Sequence, residues 1–278
     1  MVSGVACDRP ASSLDSRDPH DAAWLNFRLR EFAEARKAFD AVIADGSRDD
    51  GDLARFGLIL NDSVGEGRDF DLARRELQAK LDAEPDGLIA PWVMLALVRL
   101  DHVPPTSDVS LDVPKLIAAY TAVSERYPGT LAAAEAQLYR AALLAGATDN
   151  ASLVEARQYI ETLLGETGEH PFRQPLYSLL SSTLTRLKDH PAALAAQIRS
   201  LETKEIDPAN PNLDNAFDYF SIAINAQYDV GDFETARIYY RKLLEEYPAD
   251  QRVFLAKTNL AEMDRIEAEL RAELGGTR

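Results

Sequence analysis

From Asp21 almost to the C-terminus, apolar residues recur at steps of three and four, the spacing of one buried face of a helix. Pro and Gly stand mainly between these stretches, where they stop or turn a helix. Strict alternation of apolar and polar residues is absent over any useful length, so the pattern predicts an all-α chain. One phrase repeats. Phe32, Ala35, Phe39 and Val42 return as Phe70, Ala73 and Leu77, and again as Phe233, Ala236, Tyr240 and Leu243. The aromatic residue folds back over the preceding turn, the small alanine admits a close neighbour, and the later residues continue the same face. Pro85 and Pro248 each fall fifteen residues after their phenylalanine and end the unit. A companion helix has its own order of large and small residues, Trp92, Leu95 and Ala96, echoed by Tyr177, Leu180, Ser181 and Leu184.

On these residues the chain resembles the tetratricopeptide repeat family, over roughly residues 21–274. The match is specific near 217–250, good near 54–87 and degenerate between. The resemblance implies an α-solenoid of about six antiparallel helix pairs. Second-helix anchors fall at Ala35, Ala73, Leu116, Ala156, Ala193 and Ala236, separated by 38, 43, 40, 37 and 43 residues. These intervals exceed the family's period of about 34 and approach the about 40–47 of HEAT and armadillo repeats. Insertions at 102–112 and 146–150 account for part of the excess, and the Gly231-Asp232-Phe233 turn is not a HEAT feature. Tetratricopeptide-like pairs with long loops are therefore preferred. Lys80 occupies a position where a small or apolar residue is usual, which predicts loose packing there. From Asp250 to Leu274 a last helix shows Val253, Ala256, Leu260, Met263, Ile266 and Leu270 on one face, the pattern of a cap over the final repeat. The expected organisation is a tether over 1–20, repeats over 21–249, and a capping helix and tail over 250–278.

Composition narrows the function. Forty-six acidic against thirty basic residues give a net charge of −16. That sign disfavours nucleic acid and attraction to anionic membrane surfaces, and favours a basic or neutral protein partner. No run of about 18 apolar residues suggests a membrane helix. His20, His102, His170 and His190 lack ligand neighbours at three or four residues and lie at loop or helix edges, so capping and turn roles account for them and no metal site is expected. No P-loop, dinucleotide glycine pattern, HExxH or Gly-x-Ser-x-Gly motif is present. Neither a cofactor nor an enzyme activity is assigned.

Cys7 is the one cysteine. Gly4-Val5-Ala6-Cys7 resembles a bacterial lipobox followed by a polar, proline-bearing tether, which implies lipidation at Cys7 and membrane association through that anchor alone. The six residues before it are too short for a signal segment, and glycine stands where leucine is usual. An incidental cysteine in a disordered terminus is the other reading. The repeat family holds peptides on a concave face lined by first helices. Carried onto this sequence, that resemblance puts Arg55, Leu58 and Asp62 there in the second unit, and Asp218, Ser221, Asn225 and Tyr228 in the last. The Tyr127-Pro128 and Tyr247-Pro248 junctions look like those of the lipoprotein subunit of the β-barrel assembly machine and of the periplasmic coordinator of the Tol–Pal system. The expectation is a non-catalytic interaction scaffold of the bacterial cell envelope on its periplasmic side. A cytoplasmic adaptor or regulatory module in a signalling or secretion complex is the alternative.

Overall fold

The computed structural model describes residues 19–45, 48–65, 69–102, 110–165, 170–205 and 214–275. Among them are thirteen α-helices, one π-helical segment and no strand. The helices are α1 (Pro19–Arg28), α2 (Phe32–Asp45), α3 (Arg48–Val64), α4 (Phe70–Ala83), α5 (Ala90–His102), α6 (Val113–Arg126) and α7 (Leu131–Ala145). They continue with α8 (Asn150–Gly165), α9 (Arg173–Arg186), α10 (His190–Glu202), α11 (Ala216–Ile224), the π segment (Asn225–Val230), α12 (Phe233–Glu246) and α13 (Val253–Gly275). Six helix pairs and a final helix result. Cys7 and residues 1–18 of the tether lie outside the described residues, as does most of the insertion after His102, whereas Pro19 and His20 already belong to α1.

Each predicted anchor falls on an even-numbered helix and is buried: Ala35, Ala73, Leu116, Ala156, Ala193 and Ala236. Local chemistry explains where these helices begin. Asp69, Asp112, Asp189 and Asp232 each accept a hydrogen bond from the backbone N–H three residues on, which satisfies an orphan donor of the first turn.

The chain divides into two compact units, 1–136 and 137–278, with the division inside α7. In unit 1, Ala23, Ala35, Phe39, Val42 and Ala54 form a core that joins α1, α2 and α3. The Trp24 and Phe39 rings meet edge to face at 5.1 Å, and a Cβ on Gly57 would overlap the Phe39 ring. A second core gathers Phe56, Leu77, Ile89, Val93 and Ala96. Lys80, at a position where a small or apolar residue is usual, directs its ammonium to Asp52 at 3.0 Å and Glu84 at 3.2 Å. In unit 2, Ala141, Ile160, Leu163, Leu176 and Leu184 pack α7 to α9 together. Ser181 holds the small-residue position and donates to the Ala193 carbonyl at 2.9 Å, so the two helices touch where the sequence kept both side chains small.

The final helix caps unit 2 over part of its length. Ala256 and Met263 are buried against Ile222, Tyr240 and Leu243. Leu270 does not continue that face inward: it is 52% exposed. Arg237 of α12 clasps this outer stretch through Glu267 at 2.8 Å and Asp264 at 2.9 Å, pairing that raises the arginine's pKa and lowers that of Glu267.

Candidate functional site

In unit 2, α11 leads straight into the π segment, whose wider turn ends at Gly231 with φ of 77°. That left-handed conformation suits glycine, which has no Cβ to clash. Asp232 N–H donates back to the Ala226 carbonyl at 2.8 Å. The Asp232 carboxylate accepts from Thr235 Oγ1 at 2.6 Å and Thr235 N–H at 3.0 Å, bonds that hold its pKa below the usual range. The π turn sends Gln227 inward and leaves Tyr228 58% exposed.

Two polar chains run from this turn. On one side, Gln197 of α10 donates to Ser221 Oγ at 2.8 Å and accepts from Asn225 Nδ2 at 2.8 Å. On the other, the fully buried Tyr240 donates to Gln227 Oε1 at 2.9 Å and accepts from Asn259 Nδ2 at 2.7 Å. Burial pushes the Tyr240 phenol up to about 12. Tyr228 OH closes the chain toward Asn259 Oδ1 at 3.4 Å and Glu262 Oε2 at 3.3 Å. Burial and then the Glu262 charge raise its pKa as well. These last two contacts are long and share a single proton. The hydroxyl is thus directed toward α13 by weak contacts, and the residue as a whole stays exposed.

The residues expected on a groove divide by position. Ser221, Asn225 and Tyr228 come together around the π segment, but Ser221 and Asn225 are already engaged by Gln197. Asp218 sits at the start of α11 and binds Lys204 at 2.6 Å. In unit 1, Arg55 pairs with Asp52 at 3.4 Å, Leu58 packs on the Ala23–Phe39 core, and Asp62 pairs with Arg36 of α2.

Gln197, Gln227, Tyr240 and Asn259 complete the network and were not singled out from the sequence as site residues. Asn259 had a signal, since it interrupts the apolar face of α13 between Ala256 and Met263. The π turn had none, because its one extra residue per turn is not visible in the apolar spacing of a six-residue stretch. His102 Nδ1 bonds Tyr120 OH at 2.8 Å. His170 accepts from Phe172 N–H at 3.1 Å and meets Gln137 at 3.2 Å. His190 lies 4.0 Å from Asp229, and the His20 side chain is outside the described residues. Among the described residues no group of three or more His, Cys, Asp or Glu side chains is arranged to hold a metal, and no helix is long and apolar enough to cross a membrane.

No family model matches the chain, and no curated protein matches it. Among solved structures, it is similar to the assembly chaperone of RpL4 (Acl4), residues 1–338, at 18% identity and a TM-score of 0.42, over 91% of this chain and 100% of that one. A tetratricopeptide repeat protein from Parabacteroides merdae matches at 16% identity and a TM-score of 0.44, over 86% of this chain and 78% of that one.

Proposed function

We propose that the protein is a non-catalytic interaction scaffold whose α11–π–α13 face in unit 2 binds a basic or neutral peptide or protein partner. The observation that carries this reading is Tyr228: a large aromatic side chain, 58% exposed, with its hydroxyl directed toward Asn259 and Glu262. Oriented aromatic anchors dominate many interfaces because little side-chain freedom remains to be lost on binding. Glu262 and Asp229 on this face, with the net charge of −16, select the sign of the partner. Arg55, Leu58 and Asp62 enter the proposal only as residues of unit 1, each engaged within it.

Tyr228→Ala tests the reading. Affinity for a partner recovered from the native host should fall by about 1 kcal/mol or more, with the melting temperature nearly unchanged. Asn225→Ala is a poorer probe, because it strips Gln197 of a partner and mixes stability with binding. A partner retained at full affinity by Tyr228→Ala would move binding off this face.

The proposed setting is the bacterial cell envelope, with a lipid anchor at Cys7, supported by the Gly4-Val5-Ala6-Cys7 phrase. Expressed from its native locus, the protein should partition into membranes and lose that partition on Cys7→Ser. An unmodified N-terminus in the native host would favour the cytoplasmic adaptor instead.

A further inference from the structure

The last helix is longer than the body it caps. α13 has 23 residues and α12 has 14, which at 1.5 Å per residue makes it about 13 Å longer. Its first half is seated, with Ala256 and Met263 fully buried in unit 2. Arg237 then clasps Asp264 and Glu267, and from Ala268 to Leu274 every residue is exposed.

The exposed end nevertheless keeps an apolar line. Ile266, Leu270 and Leu274 follow one another at four-residue steps, the spacing of a ridge on a helix surface. Ile266 is half-buried, Leu270 is exposed and Leu274 is 77% exposed. Helix formation does not require leucine here, since Lys, Gln or Glu serve about as well in an exposed turn. The ion pairs Arg265–Glu269 at 2.8 Å and Glu267–Arg271 at 3.3 Å already support these turns. Leu270 also stands seven residues after Met263, as Met263 does after Ala256, so it lies on the line of the seated face. The contact face of the cap thus continues onto exposed turns.

Charge specifies what can cover it. Between Glu262 and Leu274 stand five carboxylates and two arginines, and both arginines are engaged by carboxylates of the same helix. Glu262, Glu269 and Glu273 lie seven and four residues apart, so they share one edge beside the apolar ridge. A second copy docked antiparallel about a two-fold axis would bring that edge against itself. Like charges so placed oppose association, and each copy carries −16 besides. The ridge and its edge match instead a helix with apolar side chains at steps of three and four and with lysine or arginine beside them.

We infer that the outer turns of α13 dock a basic amphipathic helix of a partner protein, its apolar stripe on Ile266, Leu270 and Leu274 and its cations along Glu262 and Glu269. This surface adjoins Tyr228 through Glu262 but does not rest on the binding assigned to that ring.

The test titrates the full chain with labelled, end-capped peptides spanning two heptads. One carries leucines at heptad spacing with flanking lysines, one has glutamate in place of each lysine, and one scrambles the order of the first. The first should bind saturably with a gain in helical circular dichroism, and the other two about tenfold more weakly or worse. Leu270→Gln should weaken the first peptide by about tenfold and Glu269→Gln by about threefold. Neither should change the melting temperature, because both positions are exposed. Equal binding of the lysine and glutamate peptides, absence of saturable binding, or full binding by Leu270→Gln would overturn the proposal. So would sedimentation of the peptide-free chain as a dimer that Leu270→Gln dissociates, because a second copy would then be the occupant.

Discussion

Phe39 and Tyr240 hold the same place in the repeated phrase, four residues after Ala35 and Ala236, and both are fully buried. Their surroundings differ by what one hydroxyl demands. In unit 1, Phe39 closes on apolar matter, with the Trp24 ring at 5.1 Å and Gly57 cleared of any Cβ to admit it. In unit 2, the Tyr240 hydroxyl needs a donor and an acceptor once buried, and it finds both in Asn259 and Gln227. One position of the repeat is thus closed either by removing atoms from a neighbour or by recruiting polar partners from two more elements. The second solution fixes the π turn and α13 relative to α12, and Tyr228 sits at the outer end of that chain of bonds.

The largest effect expected to separate the two sites is Phe39→Ala. With the glycine opposite unable to fill the void, it should cost about 3–5 kcal/mol, read as a lower denaturation midpoint. Tyr240→Phe keeps the ring and removes only the hydroxyl, leaving Gln227 and Asn259 short of a partner inside the core. It should cost about 1–3 kcal/mol and raise hydrogen exchange in the π segment. A Tyr240→Phe protein as stable as wild type would mean that packing, not the network, holds this end together, and the contrast with Phe39 would collapse.

The smallest effect is one of pH, confined to unit 2. His170 Nδ1 accepts from the Phe172 N–H, so the neutral ring with its proton on Nε2 suits the site, and burial lowers its pKa from the ordinary 6.5. The unfolded chain then takes up the proton more readily than the folded one. Stability from this site is complete above pH 6.5 and declines as pH falls through 6.5 toward the folded pKa. His170→Gln should flatten that decline in denaturant titrations. An unchanged slope would return the effect to other groups, such as His102, whose pKa burial and Arg99 also lower.

The repeat was legible in the sequence because its signal is local. Ala35, Ala73, Ala156, Ala193 and Ala236 are small where helices touch, and each proved buried. The cap was legible through Met263, but its length was not, since the spacing of Leu270 carries no record of where the neighbouring helices stop. The polar network was hidden for a different reason. Gln197 and Gln227 look like ordinary surface residues in the sequence, Asn259 shows only as a break in the face of α13, and pairings across 13 to 28 residues leave no periodic trace.

The anchor intervals of 38, 43, 40, 37 and 43 residues set two rates of permissible change within one gene. A connection can be doubled in length for about 0.6 kcal/mol of closure entropy, so insertions between pairs are nearly neutral and can accumulate. A single added methylene at Ala35 or Ala236, each without accessible surface, meets a packed neighbour at once. Divergence in such a chain is therefore expected to proceed by lengthening connections around fixed points of contact, erasing the period first and the anchors last.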